Sequence, residues 1–153
     1  MTRACTIRVA CAIIEHQGRI LVARRGTGHR ALRWEFPGGK IERGETINGC
    51  ITREIREELA IAILPRRQLP PQTWRYPDLT IVLYPVICSY RRGPIVLHEH
   101  KEAIWILPAD AAGLQWCDAD RIVLETYRQR YAGGTKITDW AKATPARRKR
   151  HSR

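Results

Sequence analysis

The chain has 153 residues, 44% of them hydrophobic, and a formal net charge of +12, which suits one domain with a sizeable core. No apolar run approaches the ~20 residues of a membrane-spanning helix, and Arg3, Arg8 and Glu15 break up the N-terminal apolar stretch, so neither a membrane span nor a secretory signal is read. Five scattered cysteines, at positions 5, 11, 50, 88 and 117, form an odd set without a Cys-x-x-Cys pair, which fits buried thiols in a reducing cytoplasm and not a disulfide framework.

Taken in order, residues 5–14 and 20–23 are β-branched and apolar, and His16-Gln17-Gly18-Arg19 between them predicts a hairpin turn. A polar loop with Gly26 and Gly28 leads to Trp34-Glu35-Phe36-Pro37-Gly38-Gly39. From 46 to 59 there is no proline, and Ile47, Ile51, Ile55 and Leu59 recur every four residues with Cys50 beside them, which predicts an amphipathic helix with one buried stripe. Residues 61–64 read as a strand, Pro70-Pro71 as a bend, and 73–76 with 80–90 as a second hairpin across Pro77-Asp78. Arg91-Arg92-Gly93-Pro94 turns the chain again and 98–102 reads as a loop. A short strand at 104–107 precedes a helix start at Pro108-Ala109-Asp110, and 118–131 is a last amphipathic helix with Ile122, Leu124 and Tyr127. The pattern is mixed α/β with no internal repeat, giving one domain over 1–140.

Residues 141–153 hold six cations, Lys142, Arg147, Arg148, Lys149, Arg150 and Arg153, and no acid; removing those six from +12 leaves +6 for the body. This end reads as a disordered basic tail. Such a tail holds nucleic acid or anionic surfaces by counterion release, or reflects only solubility or a GC-rich coding sequence.

Chemistry concentrates in the helix at 46–59. Glu54, Glu57 and Glu58 sit at i, i+3 and i+4, away from the apolar stripe, gathering three carboxylates within an arc of roughly 100°. Like charges at this spacing repel, whereas a hard divalent cation such as Mg²⁺ takes carboxylate oxygens and keeps waters for a phosphate substrate. The alternative is a solvated acidic face paired internally, as Arg53 to Glu57. His98 and His100 do not form a zinc pair, since no cysteine or third histidine stands at ligand spacing.

Gly39 stands six positions before Glu45, seven residues follow, and then come Arg53-Glu54, an apolar Ile55, Glu57-Glu58 and Ile61. This spacing resembles the Nudix box, departing from it at Ala60, where the family usually has the glycine that relieves a left-handed helix end. The run Trp34-Glu35-Phe36-Pro37-Gly38-Gly39-Lys40-Ile41-Glu42, together with Val22-Ala23-Arg24-Arg25, Glu99-His100, Trp105 and Ala119-Asp120, is similar to the MutT-like nucleoside triphosphate pyrophosphohydrolases, including the CTP pyrophosphohydrolases. The resemblance covers most of residues 5–131. It implies the Nudix α/β/α sandwich with a mixed sheet, and conversion of a nucleoside triphosphate to the monophosphate and pyrophosphate with Mg²⁺, or Mn²⁺ in its place, by water attacking the β-phosphorus.

Carried over residue by residue, the resemblance implies Glu54, Glu57, Glu58 and the Gly38 carbonyl as metal ligands, with Glu45 orienting Arg53 or making an outer contact. Lys40 is assigned to the phosphates, against a solvated surface lysine. Arg25 is the second phosphate contact, with Arg24 and Arg30 competing. Glu99 is the candidate outside the box for a metal ligand or proton acceptor, because it stands six residues before Trp105 as the loop glutamate of the MutT-like proteins does. Glu102, His98, His100 or a merely solvated loop are its alternatives.

For the base, Phe36 and Tyr76 resemble the stacking residues of the MutT-like pocket, or belong to the core. Asp120 stands where guanine-selective relatives commonly carry asparagine. An ionised aspartate only accepts, so it suits the amino group of cytosine; otherwise it caps its helix. Leu79 points the same way, since that turn in guanine-selective relatives can carry arginine. The readings open at this point are a nucleoside triphosphate pyrophosphohydrolase acting on a cytidine or modified nucleotide, another Nudix hydrolase acting on ADP-ribose, a dinucleotide or an RNA 5′ end, and a silent nucleotide-binding module. The expected partner is the nucleotide, with nucleic acid through the tail as a lesser one, no membrane, and a monomer or homodimer.

Overall fold

The computed structural model describes residues 5–28 and 31–132. The basic tail expected at 141–153 and the competing Arg30 lie outside the described residues.

The β-branched opening segment forms β1 (Cys5–His16), which returns as β2 (Arg19–Arg25). The connecting turn has positive φ at both Gln17 and Gly18, 49° and 75°, matching the right-handed strand twist. Two short strands absent from the sequence reading follow, β3 (Trp34–Glu35) and β4 (Gly38–Lys40), before helix α1 (Ile47–Leu59). Then come β5 (Ala62–Gln68), β6 (Gln72–Arg75), β7 (Leu79–Arg92), β8 (His100–Ile106), α2 (Pro108–Ala111) and α3 (Asp118–Ala132).

The sheet is mixed. β1 and β7 run parallel at its centre, from Cys5 opposite Leu79 to Glu15 opposite Ser89, and the other pairings between these strands are antiparallel. The free edge of β1 is shared: β2 takes its C-terminal end and β4 its middle, with Gly38 opposite Cys11 and Gly39 opposite Ala10. The sheet opens where those partners part.

Alternation along β1 builds a core on each face. Ala10, Ala12 and Ile14 pack with Cys50, Ile51, Ile55 and Leu59 of α1, while Cys11 and Ile13 pack with Ala119, Val123, Leu124 and Tyr127 of α3. The result is the expected α/β/α sandwich. No helix of the described residues is long and apolar enough to cross a membrane.

Helix α1 starts where Thr46 accepts a hydrogen bond from the Gly49 N–H at 3.0 Å. It ends at Ala60, held at φ 57° and ψ 26°, the left-handed conformation that glycine adopts without strain. One expectation is corrected here. Glu58 does not share the outer face with Glu57 but is buried with Ile55 and Leu59, because the segment after β7 covers this side of the helix.

A second correction concerns 98–102. The strand begins at His100, earlier than the sequence suggested, because its backbone pairs with the end of β2. The register shifts between Arg24 and Arg25, so that Arg24 faces Glu102 and Arg25 faces His100.

Candidate active site

A cavity of about 900 Å³ lies where the sheet opens, within the range of small-molecule sites. Glu54, Glu58, Glu99, Gly38, Gly39 and Lys40 line one part of it, and Val9, Cys11, Phe36, Ile81, Leu83, Ala119 and Asp120 another, with Arg25, Glu35 and His100 also in its wall.

The acidic part is assembled by backbone geometry. β4 lies so close under α1 that a Cβ on Gly39 would overlap the Glu54 carboxylate, and one on Gly38 would overlap the Ala10 carbonyl of β1. At the far end of α1, Val96 donates to the Leu59 carbonyl at 3.0 Å and His98 to the Glu58 carbonyl at 3.1 Å, satisfying acceptors that a helix end leaves open. Glu99 follows directly and is brought to the same wall as Glu54 and Glu58.

These carboxylates repel. Burial first, then Glu99, Glu54 and Glu35, push Glu58 up to about 9, and burial also raises Glu54 despite Arg53 beside it. The buried Oε2 of Glu58 has no hydrogen-bond partner. Hard oxygen donors, mutual repulsion and an unsatisfied buried oxygen together fit a hard divalent cation, which would supply the missing charge.

Arg53 organises the acids around it. Its Nε and Nη2 donate to the two oxygens of Glu45 at 2.6 and 2.9 Å, and Nη1 reaches Glu54 at 2.9 Å and Glu57 at 3.2 Å. The Arg53 hydrogen bond holds Glu45 down to about 2. Glu45 and Arg53 are thus joined by two hydrogen bonds, the contact that a role for Glu45 in orienting Arg53 requires. Glu57 is the outlier of the acidic set: its side chain is 58% exposed, turned to Arg53, and does not line the cavity.

Of the expected cations, Lys40 is exposed at the cavity wall, and Arg25 lines it while donating to Glu35 at 3.0 Å. Arg24 instead pairs with Glu102 at 2.9 Å and lies over the Trp34 ring, so neither it nor Glu102 reaches the cavity.

In the apolar part, Asp120 stands in the first turn of α3, where a carboxylate also favours the helix dipole. It is buried, and its Oδ1 accepts the Phe36 backbone N–H at 3.0 Å, which fixes its carboxylate at the wall. Phe36 is itself core, with its ring centroid 4.9 Å from that of Trp116. Tyr76, expected to stack on the base, lies half-buried near the second hairpin turn with its ring 6.4 Å from Trp74, and does not line the cavity.

Sequence reasoning gave no role to Glu35, Cys11, Ile81 or Leu83. For Glu35 the signal was its place between two large aromatics on a strand, where a charged residue needs buried partners; it has Arg25 and His100. Ligand atoms of Glu35, Cys117 and Asp120 lie within 4.8 Å of one another. Because Arg25 and His100 already hold Glu35, and Phe36 holds Asp120, the α1 carboxylates suit a cation better.

The NUDIX domain family profile matches residues 6–135. The CTP pyrophosphohydrolase of Escherichia coli K12 is 33% identical over 122 residues, covering 79% of this chain and 90% of that protein. The 8-oxo-dGTP diphosphatase of the same organism is 35% identical over 80 residues, covering 51% of this chain and 62% of its own. Among solved structures, the E. coli ORF135 protein superposes with a TM-score of 0.77 at 31% identity, covering 86% of this chain and 94% of that one. A MutT NUDIX hydrolase from Burkholderia pseudomallei gives 0.73 at 26% identity, with 80% and 98% covered.

Proposed function

The chain belongs to the Nudix family of hydrolases, and we propose that it converts a nucleoside triphosphate, with a cytidine or modified nucleotide as the leading substrate, to the monophosphate and pyrophosphate in the presence of Mg²⁺. The observation that carries this reading is the cavity itself, in which the buried Glu58 and half-buried Glu54 of α1 and a fixed Asp120 on an apolar wall share one space of nucleotide-accommodating volume. The similarity to the CTP pyrophosphohydrolase, over nearly all of that protein, supports the same substrate class.

Glu54, Glu58 and Glu99, with Glu57 after release from Arg53 and the Gly38 carbonyl, would hold the cation. Bound there, Mg²⁺ or Mn²⁺ would neutralise charge on the phosphate oxygens and make water a better nucleophile. The rest falls to the chain. Lys40 and Arg25 hold the phosphates from the cavity wall, and Arg53 keeps Glu54 oriented. Glu99, exposed at the mouth, accepts the proton of the water that attacks the β-phosphorus, and the nucleoside monophosphate leaves. Asp120 accepts from an exocyclic amino group of the base, its position set by Phe36.

A panel of nucleoside triphosphates, ADP-ribose, dinucleotides and 5′-triphosphate RNA with Mg²⁺, scored for phosphate against pyrophosphate, tests the reading. Pyrophosphate from a triphosphate at the highest kcat/KM supports it. Preference for ADP-ribose, a dinucleotide or RNA, or no turnover of any, counts against it.

A further inference from the structure

We propose that the face of β5 and β7 beside the end of α3 binds single-stranded RNA through Arg66, Arg67, Arg91 and Arg92, at a site apart from the cavity.

Two register shifts build this face. Pro65 stands opposite Cys88 and Arg67 opposite Ile87, so Arg66 is an extra residue in β5; Ala62 stands opposite Arg92 and Ile63 opposite Tyr90, so Arg91 is one in β7. An extra residue interrupts strict alternation and lets consecutive side chains take one side of a sheet. Ile63, Cys88 and Tyr90 belong with the core under α1, whereas Ile87 belongs to the core under α3. Arg67, paired with Ile87, and Arg66, which donates to Ser89 Oγ at 3.2 Å, therefore lie on the α3 side. Arg91 follows the inward Tyr90, and Arg92 pairs with Ala62, which precedes the inward Ile63, so both take that side too.

This face lacks negative charge. All four arginines are exposed, and none has a carboxylate within 4.0 Å among the described residues. No acid occurs in 59–77 or 79–98. Glu15 of β1, opposite Ser89, is half-buried and accepts the Tyr127 hydroxyl at 2.8 Å. Like charges gathered on one sheet face repel, and a polyanion that sheds its own counterions on binding removes that repulsion.

Charge also selects the occupant. A second copy of this face, or the basic segment 141–153 that follows α3 in sequence, would set cation against cation. Leu64 stands opposite Ser89 on the same side, between the two arginine pairs, and is 47% exposed. An apolar side chain flanked by cations suits an unstacked base with a phosphate on either side, which RNA offers in its single-stranded parts and a duplex does not. Arg91 stands roughly 25 Å along β7 from Leu83 of the cavity wall, so RNA held here leaves the cavity free.

The test is fluorescence anisotropy of a labelled oligouridine of about 20 nucleotides with the full-length chain, without added metal, over a range of NaCl. Arg66→Gln/Arg67→Gln and Arg91→Gln/Arg92→Gln are compared with Arg43→Gln/Arg75→Gln, which removes the same charge from exposed arginines outside this face. Each double variant of the face is expected to weaken binding at least about tenfold at low salt. It should also flatten the slope of log K against log[NaCl] by about 1.4, at ~0.7 per phosphate contact on a single strand. The Arg43/Arg75 double should stay within about twofold with its slope unchanged, and Leu64→Ser should weaken binding at an unchanged slope. Equal losses in all three doubles, which would mean net charge alone, or no binding by wild type, overturns the proposal. So does duplex RNA bound as tightly as the single strand, or phosphatidylserine vesicles that lose more binding than RNA in the doubles of the face. Thermal unfolding checks that each variant folds, and if one double of the face does not, the other decides.

Discussion

The His98 backbone N–H is fastened to the Glu58 carbonyl at 3.1 Å. By this bond the segment that carries Glu99 is fixed to the end of the helix that carries Glu54 and Glu58, so acids distant in sequence are pre-assembled. With Gly39 pressed under Glu54, the acidic wall is set by backbone contacts and owes little to flexible side chains.

Burial ranks the acids. Glu58 is enclosed and Glu57 is 58% exposed against Arg53. If Glu58 holds the cation as proposed, Glu58→Gln is expected to lower kcat by at least ~100-fold, and Glu57→Gln by clearly less, because the loss of a buried charge cannot be compensated by water. Steady-state kinetics at saturating Mg²⁺ decide this, and equal losses would refute the ranking.

Glu58 and Glu54 also make metal-free stability depend on pH. Their folded values lie above the ordinary carboxylate range, Glu58 at about 9, so the folded state retains protons that the unfolded chain has lost. Stability conferred this way is complete below about 4.5 and falls as pH rises toward about 9. In EDTA, Tm should drop from pH 5 to pH 9, and Mg²⁺ should restore it most at the alkaline end. A Tm that rises over this interval in EDTA would contradict the burial of Glu58 as a lone acid.

Ala60 holds a left-handed conformation at φ 57°, strained for a residue with a Cβ. Ala60→Gly should stabilise the fold by a few tenths to about 1 kcal/mol, the relief being offset in part by the freer unfolded chain. Urea unfolding would show an increased midpoint with an unchanged slope. A decreased midpoint would mean that the helix end prefers alanine.

Asp120 meets the base as a fixed acceptor if the proposed function holds. CTP should then exceed UTP roughly tenfold or more in kcat/KM, since an acceptor opposite the uracil carbonyl leaves buried polar groups unpaired. Asp120→Asn should narrow that ratio and admit guanine-type bases through its amide donor. Equal values for CTP and UTP, unchanged by the substitution, would leave Asp120 a structural role at the Phe36 N–H and the start of α3.

The periodic parts of the fold were legible in the chain. Four-residue recurrence of Ile47, Ile51, Ile55 and Leu59 placed α1 to within one residue, and the turn at Gln17-Gly18 placed the first hairpin. Short β3 and β4 were not legible, because strands of two and three residues containing Gly38 and Gly39 carry no alternation and exist only through pairing with β1 and β2. Helical spacing gathered Glu54, Glu57 and Glu58, yet it did not distinguish the buried Glu58 from the exposed Glu57, which depends on the cover supplied by residues 93–98. The wall made by Glu35 and His100 was hidden for a similar reason: it depends on a register shift that no local pattern announces.

Hydrolysis of CTP with Mg²⁺ in ¹⁸O-labelled water, with the products analysed by mass spectrometry, addresses the reaction and the attacked atom together. The account predicts unlabelled CMP and pyrophosphate carrying one ¹⁸O, as attack on the β-phosphorus requires. Formation of CDP and phosphate, or label in CMP, would contradict it.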